Sequence, residues 1–287
     1  MILAGLVPAR FRRFWQGQSF IAWRALFCLL LLGADLPDDR AEPNKSPTPS
    51  TWQIAFSPNY SSGKYGTDTT TEIIYAPLSI QRLFKDGDVA LVVPFLSVTG
   101  NGSVTLLSGV PNRRTTAGTG LGPRITEIGL GDMVLRGRYY AIDEKNWWPT
   151  IALIARLKIP TAQSQRGLGT GEFDEGLGVE TTKSFGEKWL LFADAGFTWI
   201  GKPAGFNLRN QWNYDVGIGY NFTKALTMSL YFEEYRAAVE GNQNPQDILI
   251  SLNYQWTPKL GVIAYSQVGL SDGAPAYAVS LGLSRKF

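Results

Sequence analysis

The sequence contains no histidine, and this absence excludes several classes of catalytic site. A Ser-His-Asp hydrolase and an outer-membrane protease with a His-Asp pair both need an imidazole as the general base. The one cysteine, Cys28, lies in an N-terminal apolar run, so the rest of the chain has no thiol for a disulfide or a metal. Acid–base chemistry by carboxylates alone stays open, but no pair stands out for it. We therefore expect no enzyme, no cofactor and no metal site.

The chain is also short of apolar residues for a helical membrane protein. Its mean hydropathy is −0.07 and its hydrophobic content is 44%. A bundle of membrane-spanning helices would need long uncharged runs. A β-barrel hides its membrane signal, because only alternate residues of each strand meet lipid. The 31 Gly, 15 Phe, 12 Tyr and 9 Trp suit a barrel better than an α/β enzyme.

The N-terminus has the pattern of an export signal. Four arginines precede an apolar stretch at residues 25–34, which is too short to span a bilayer but suits the core of a signal peptide. We expect residues 1–41 to be a signal peptide, with cleavage after Ala34 or Ala41. Residues 42–50 are rich in Pro and Ser without periodicity, and we expect them to form a disordered periplasmic lead-in.

The basic character of the chain is largely a property of this signal segment. Residues 1–41 carry five Lys/Arg and three Asp/Glu, so their removal lowers the formal charge from +3 to +1. The sequence pI of about 8.9 is therefore no reason to expect nucleic acid as a partner.

The C-terminal segment, residues 277–287, alternates strictly between apolar and small or polar residues. One face suits lipid and the other suits a polar interior, as in a transmembrane β-strand. An amphipathic last strand of a soluble sandwich is the alternative. A terminal aromatic residue on such a strand is similar to the sorting signal that the barrel-assembly machinery recognises. The predicted assembly signal consists of Tyr277, Val279, Leu281, Leu283 and Phe287.

From Thr51 to Phe287 the same alternation recurs in segments joined by alternately short and long connections. The sequence predicts an all-β fold, a transmembrane antiparallel up-and-down β-barrel of about 12 strands over residues 51–287. An even strand count places both termini on the periplasmic side, and closure leaves no unpaired edge in lipid. Irregular structure is predicted at residues 61–70 and, in the longest connection, at residues 99–127.

Several charged residues fall on the inward side of this alternation. An Arg or Lys that faced lipid at mid-depth would cost about 2–4 kcal/mol, so these residues are expected to line the lumen. Basic residues on the fourth and fifth strands and acidic residues on the sixth to ninth would create a transverse field at a constriction. The alternative is that the charges pair with one another and fill a narrow barrel. The lumen candidates are Asp132, Arg136, Arg138, Arg156, Lys158, Glu180, Asp194, Asp215 and Glu233.

The longest connection is a candidate restriction loop. We expect it to fold into the barrel and to narrow the pore through Arg113, Arg114 and Arg124.

Four segments carry a resemblance to a known family. They are GLGDMVLRGRY at residues 129–139, PTIALIARLKIPT at 149–161, GLGTGEFD at 167–174 and FADAG at 192–196. Together they resemble the outer-membrane transporter-like family labelled "putative MetA-pathway of phenol degradation", over about residues 50–287. The resemblance implies a role in moving aromatic compounds across the outer membrane.

The sequence thus predicts a Gram-negative outer-membrane channel for passive uptake or efflux of small solutes, including aromatic compounds. The alternative is a structural or surface-recognition barrel with a closed lumen. The expected partners are outer-membrane lipid, the barrel-assembly machinery and a small-molecule solute.

Overall fold

The computed structural model describes residues 51–107, 110–113, 122–203 and 208–287. The predicted signal peptide and periplasmic lead-in, residues 1–50, lie outside the described residues. Strands dominate the described part of the chain, with one turn of 3₁₀ helix at Ser164–Arg166. The strands are β1 (Trp52–Phe56), β2 (Asn59–Gly63), β3 (Thr71–Leu83), β4 (Gly87–Gly100), β5 (Val104–Leu107), β6 (Val110–Arg113), β7 (Ile125–Leu130), β8 (Met133–Ile142), β9 (Thr150–Ile159), β10 (Asp174–Phe185), β11 (Trp189–Trp199), β12 (Gln211–Asn221), β13 (Leu226–Tyr235), β14 (Gln246–Gln255), β15 (Leu260–Gly269) and β16 (Tyr277–Lys286).

Fourteen of these strands form one closed antiparallel sheet, and β5 and β6 form a separate hairpin. Each of the short strands β1 and β2 pairs with β3 on one side and β16 on the other, so together they act as one wall strand. In the same way β7 and β8 both pair with β4. At the seam the Phe287 N–H donates to the Trp52 carbonyl over 3.0 Å, and the Thr51 N–H donates to the Phe287 carbonyl over 3.2 Å. The prediction of a closed barrel of twelve strands is confirmed.

Two of four neighbouring wall strands are interrupted, and the two strands between them carry prolines at a similar height. The first wall strand breaks between β1 and β2, the fourth breaks at Gly131–Asp132, and Pro77 of β3 stands opposite Pro94 of β4. Because proline has no N–H to give to the ladder, a central pair of prolines loosens regular pairing. The Gly131 N–H donates to the Pro94 carbonyl over 2.8 Å, which reconnects the wall across the break.

The structure corrects the predicted strand limits. Residues 61–63 belong to β2 rather than to a connection. The segment at residues 99–127 contains the β5–β6 hairpin and the first part of β7. Small polar residues such as Ser61 and Ser62 pair through the backbone and give no apolar alternation, so the sequence pattern does not reveal β2. Asp132 was predicted on a strand face, but it lies in the break between β7 and β8.

The outer surface of the barrel is apolar and the inner surface is polar. Leu281 is 62% exposed, whereas Ser251 on the inner side is fully buried. Such an inverted pattern is expected where the exterior meets hydrocarbon. Trp147, Trp148 and Trp256 stand at strand ends with more than 60% of their surface exposed, as in an interfacial aromatic girdle. No helix in the described ranges has the length and apolarity that crossing a bilayer requires.

Candidate channel lumen

All nine predicted lumen residues have side chains directed away from the apolar exterior. Along the regular strands the less exposed residues alternate with more exposed ones, Arg156 pairs in register with Arg136, and Asp132 contacts Lys158 over 3.3 Å. Asp132 and Arg156 are half-buried, and the remaining seven are each less than one-tenth exposed: Arg136, Arg138, Lys158, Glu180, Asp194, Asp215 and Glu233.

Two arginines of β8 and two carboxylates of other strands form a compact ion-pair network. Arg138 contacts Glu180 over 2.9 Å and Asp88 over 3.5 Å. Arg136 contacts Asp88 over 3.1 Å and Glu180 over 3.9 Å. All four side chains are at most 9% exposed, so each charge depends on the others for its stabilisation. Asp88 stands directly opposite Arg138 in the ladder, whereas Glu180 reaches the arginines from β10.

A second polar cluster lies closer to the extracellular mouth, where β9 and β10 meet the outer connection that joins them. The Lys158 ammonium contacts Asp174 over 2.8 Å and Asp132 over 3.3 Å, and it donates to the Thr170 hydroxyl over 2.7 Å. Asp132 also accepts a hydrogen bond from the Ala162 N–H over 3.1 Å. Lys158 and Asp132 therefore fix the outer connection between β9 and β10 against the wall.

Five carboxylates form a continuous row across β10 to β14. Glu180 stands opposite Asp194, Asp194 opposite Asp215, Asp215 opposite Glu233, and Glu233 opposite Asp247. Directly opposed like charges on a sheet are unfavourable, by roughly the 0.2–1 kcal/mol that opposite charges contribute. The sequence retains this acidic row, defined by Glu180, Asp194, Asp215, Glu233 and Asp247, in spite of that cost.

The basic side of the lumen faces this acidic row. Arg156 of β9 is the cross-strand neighbour of Arg136, so β8 and β9 together carry three arginines at mid-height. The charges of Glu180 and Asp215 both act on Arg156. The arginines of β8 thus pair directly with Asp88 and with Glu180 of the acidic row, and a transverse field between a basic and an acidic wall stays a prediction.

An aromatic row runs beside the acidic row on its periplasmic side. Phe192 and Tyr231 both stand opposite Gly217, and Tyr231 stands opposite Leu249. The rings of Phe192 and Tyr231 are 5.2 Å apart. A Cβ at Gly217 would lie 2.2 Å from the Tyr231 ring, so only glycine leaves room for that ring.

The β5–β6 hairpin lies at the extracellular mouth of the barrel. Val104 and Leu106 of the hairpin pack in one buried cluster with Ile73 and Leu96, which face inward from β3 and β4. Leu168 of the β9–β10 connection completes the cluster. The hairpin therefore covers part of the mouth from the inner side of the wall.

Hydrogen bonds tie the hairpin segment to the first outer connection. Arg113 donates to the Gly66 carbonyl over 3.0 Å. Arg124 donates to the Thr70 carbonyl over 2.8 Å and pairs with a carboxylate of β3 over 2.9 Å. Among the predicted restriction-loop residues, Arg113 and Arg124 are anchors of the mouth, and Arg114 lies outside the described residues. In the same connection, burial raises the pKa of Tyr65 to about 12.

Three inward residues escaped the sequence prediction. Asp88 was predicted in a turn and Asp247 ahead of a strand, because the two strands were predicted to start at Val89 and Ile248, two residues later than they do. Extending each alternation back by one position would have placed both carboxylates inside. Tyr231 was missed because an aromatic residue on the polar face breaks the expected pattern.

A closed antiparallel barrel with an apolar exterior and a charged interior defines an outer-membrane β-barrel protein of Gram-negative type. Residues 81–287 match the family described as "Putative MetA-pathway of phenol degradation", and the chain belongs to this family. The family resemblance predicted from the sequence is confirmed. A comparison with curated proteins found no match.

Among solved structures, the COG4313 outer membrane channel from Pseudomonas putida F1 is similar, with a TM-score of 0.63 and 16% sequence identity. The alignment covers 89% of this chain and 100% of that channel. The NanC porin has a TM-score of 0.51 at 10% identity, covering 82% of this chain and 100% of the porin. Both likenesses concern the fold.

Proposed function

We propose that the protein is a passive channel for uptake or efflux of small solutes across the outer membrane, with aromatic compounds as the leading solute class. The observation that carries the proposal is the pair of opposed walls, three arginines on β8 and β9 against the acidic row. A transverse field at a constriction orients polar solutes and selects among them. Membership of the phenol-degradation family supports the aromatic class.

The neighbouring aromatic row supports the same solute class. An aromatic solute that carries a polar substituent would contact Phe192, the partly exposed member of this row, with its ring and the acidic row with its substituent. Edge and face contacts between aromatic rings are worth about 0.5–1.5 kcal/mol each, which favours passage without tight binding.

A structural barrel with a closed lumen is the second candidate, and a specific observation favours it. The inward side chains are almost fully covered: Arg138 is 3% exposed, Tyr231 is 1% exposed and Leu249 is fully buried. Interior side chains can fill a small barrel completely. Catalysis is not proposed, since the chain has no histidine and the two similar solved structures named above are a channel and a porin.

Electrical recording separates the two candidates. Purified protein in a planar bilayer should give discrete conductance steps, and vesicles that contain it should admit phenol-sized solutes faster than empty vesicles do. A bilayer that stays sealed at every voltage, combined with equal solute entry, would favour the closed barrel.

We further propose that the C-terminal residues Tyr277, Val279, Leu281, Leu283 and Phe287 guide the chain to the barrel-assembly machinery. All five lie on the outward face of β16 or at its end. Phe287 is 54% exposed at the seam, where its ring is available to a partner.

A further inference from the structure

An apolar groove lies on the outer surface of the barrel, in the periplasmic half of the wall. Its cavity volume is about 610 Å³, and its lining is almost entirely apolar. The outward residues Phe84, Val89, Tyr139, Leu153 and Leu177 line the groove, together with Asp88 and Arg138, whose side chains face the lumen.

The groove results from two small residues placed side by side. Along one outward row, Val89 stands opposite Gly137, Gly137 opposite Ala155, and Ala155 opposite Leu177. A Cβ added at Gly137 would meet no atom within 4 Å. The wall is therefore thin at the middle of the row and thick at both of its ends.

Large side chains complete the sides of the groove toward the periplasm. Phe84, Tyr139 and Leu153 are 57%, 58% and 49% exposed and rise beside the gap that Gly137 and Ala155 leave. In the hydrocarbon region no water can fill such a gap, and an empty gap forfeits dispersion contacts on all its sides. A flexible hydrocarbon chain fits the apolar chemistry of this surface.

The periplasmic end of the groove offers charges of both signs. Lys85 and Asp86 of the β3–β4 turn belong to its lining, and their side chains are 83% and 50% exposed. Their charged atoms are 3.8 Å apart, and an exposed pair at that distance contributes about 0–1 kcal/mol, so the contact between the two side chains is weak. The next turn adds the exposed Asp143 and Lys145.

We propose that this groove, lined by Val89, Gly137, Ala155, Leu177, Phe84 and Tyr139, holds one phospholipid of the periplasmic leaflet with a zwitterionic ethanolamine head group. One acyl chain fills the gap above Gly137 and Ala155. The Lys85 ammonium binds the phosphate, and the Asp86 carboxylate binds the ammonium of the head group. This inference does not depend on whether the lumen conducts.

The test fills the groove and compares lipid retention. Wild type and the variants Gly137→Leu and Ala155→Leu are purified in mild detergent, and bound lipid is measured by native mass spectrometry. Ala264→Leu is the matched control, because Ala264 faces outward between Leu252 and Leu281 on a distant strand. Wild type and the control should carry the mass of one phospholipid, and both groove variants should lose it.

A second experiment tests which head group the turn binds. Protein stripped of lipid is reconstituted in vesicles of equal phosphatidylethanolamine and phosphatidylglycerol and then repurified. Wild type should retain phosphatidylethanolamine, and Asp86→Lys should shift retention toward phosphatidylglycerol. The proposal is overturned if wild type retains no lipid, if the groove variants retain as much as wild type, or if the mass lost in those variants is that of a second copy of the chain. Unchanged head-group preference in Asp86→Lys would overturn the assignment of the head group to this turn.

Discussion

Replacing Arg138 by methionine tests whether the lumen network holds the barrel together. The Arg138 side chain is fully buried and contacts Glu180 over 2.9 Å and Asp88 over 3.5 Å. Methionine keeps much of the volume and removes the charge, so two buried carboxylates lose a partner. Breaking a buried ion pair by removing one side costs about 3–5 kcal/mol. Because Arg136 still contacts Asp88 over 3.1 Å, we expect a loss near the lower end, about 3 kcal/mol of unfolding free energy.

The assay is unfolding by guanidinium in detergent micelles or lipid vesicles, followed by the fluorescence of the seven tryptophans of residues 51–287. Arg285→Met is the matched control, because Arg285 is exposed at the periplasmic rim. Its guanidinium carbon lies 5.4 Å from the centre of the Phe287 ring. Its loss should cost about 1 kcal/mol or less.

A double-mutant cycle identifies the cause of the Arg138 effect. Glu180→Gln removes one of the two buried carboxylate charges that lose their partner in Arg138→Met. The double variant should therefore be more stable than the sum of the single losses predicts, by about 0.5–3 kcal/mol. Strict additivity, or a loss for Arg138→Met no larger than for Arg285→Met, would refute the interpretation of the network. Conductance of the same variants is informative as well, because the closed-barrel candidate predicts a change in stability without a change in conductance.

The remaining predictions concern selectivity, the mouth and assembly. The acidic row outnumbers the three lumen arginines, so the reversal potential in a KCl gradient should indicate cation preference, and Asp215→Asn with Glu233→Gln should reduce it; an unchanged potential would remove the row from the permeation path. Replacing the β5–β6 hairpin by a short Gly-Ser link should raise single-channel conductance, and no change would show that the hairpin does not restrict the pore. Burial raises the pKa of Tyr65 from about 10 to about 12, so its stabilising effect is complete below pH 10 and is lost as pH rises through 12; proteolysis of the outer connections should increase over that range in wild type but not in Tyr65→Phe, and identical profiles would contradict this. Phe287→Ala should lower the amount of heat-modifiable barrel in membranes, whereas equal amounts would count against the assembly signal.

The barrel itself was predictable from the sequence because alternation is a local property. Tyr277 to Phe287 displays the period of two without interruption, and the structure places its apolar members outside. The lumen residues of the regular strands followed from the same rule. Once the apolar face of each strand from β10 to β13 is assigned to the outside, Glu180, Asp194, Asp215 and Glu233 must all point inward.

The parts that could not be predicted depend on contacts between distant segments. Which carboxylate Arg138 pairs with depends on strand register, and no local pattern encodes the pairing of Asp88 with Arg138. The broken wall strands escaped for a related reason: Ser61 and Ser62 are ordered by backbone pairing with β3 and β16, not by an apolar face of their own. The groove at Gly137 required knowing that Ala155 is its cross-strand neighbour.

The order of chemical environments along the barrel axis limits which solutes the proposed channel would favour. The first layer from outside contains the buried apolar cluster of Val104, Leu106 and Leu168, and the second, deeper layer contains the acidic row and the arginines. A strongly hydrated ion gains nothing at the first layer, and a pure hydrocarbon gains nothing at the second. A molecule with an apolar ring and one polar group can make favourable contacts at both levels, with the row of Phe192 and Tyr231 beside the second. Entry rates into vesicles should therefore be higher for a neutral phenol than for benzoate of similar size, because the acidic row disfavours a carboxylate; faster entry of benzoate would argue that the arginines, not the carboxylates, dominate the constriction.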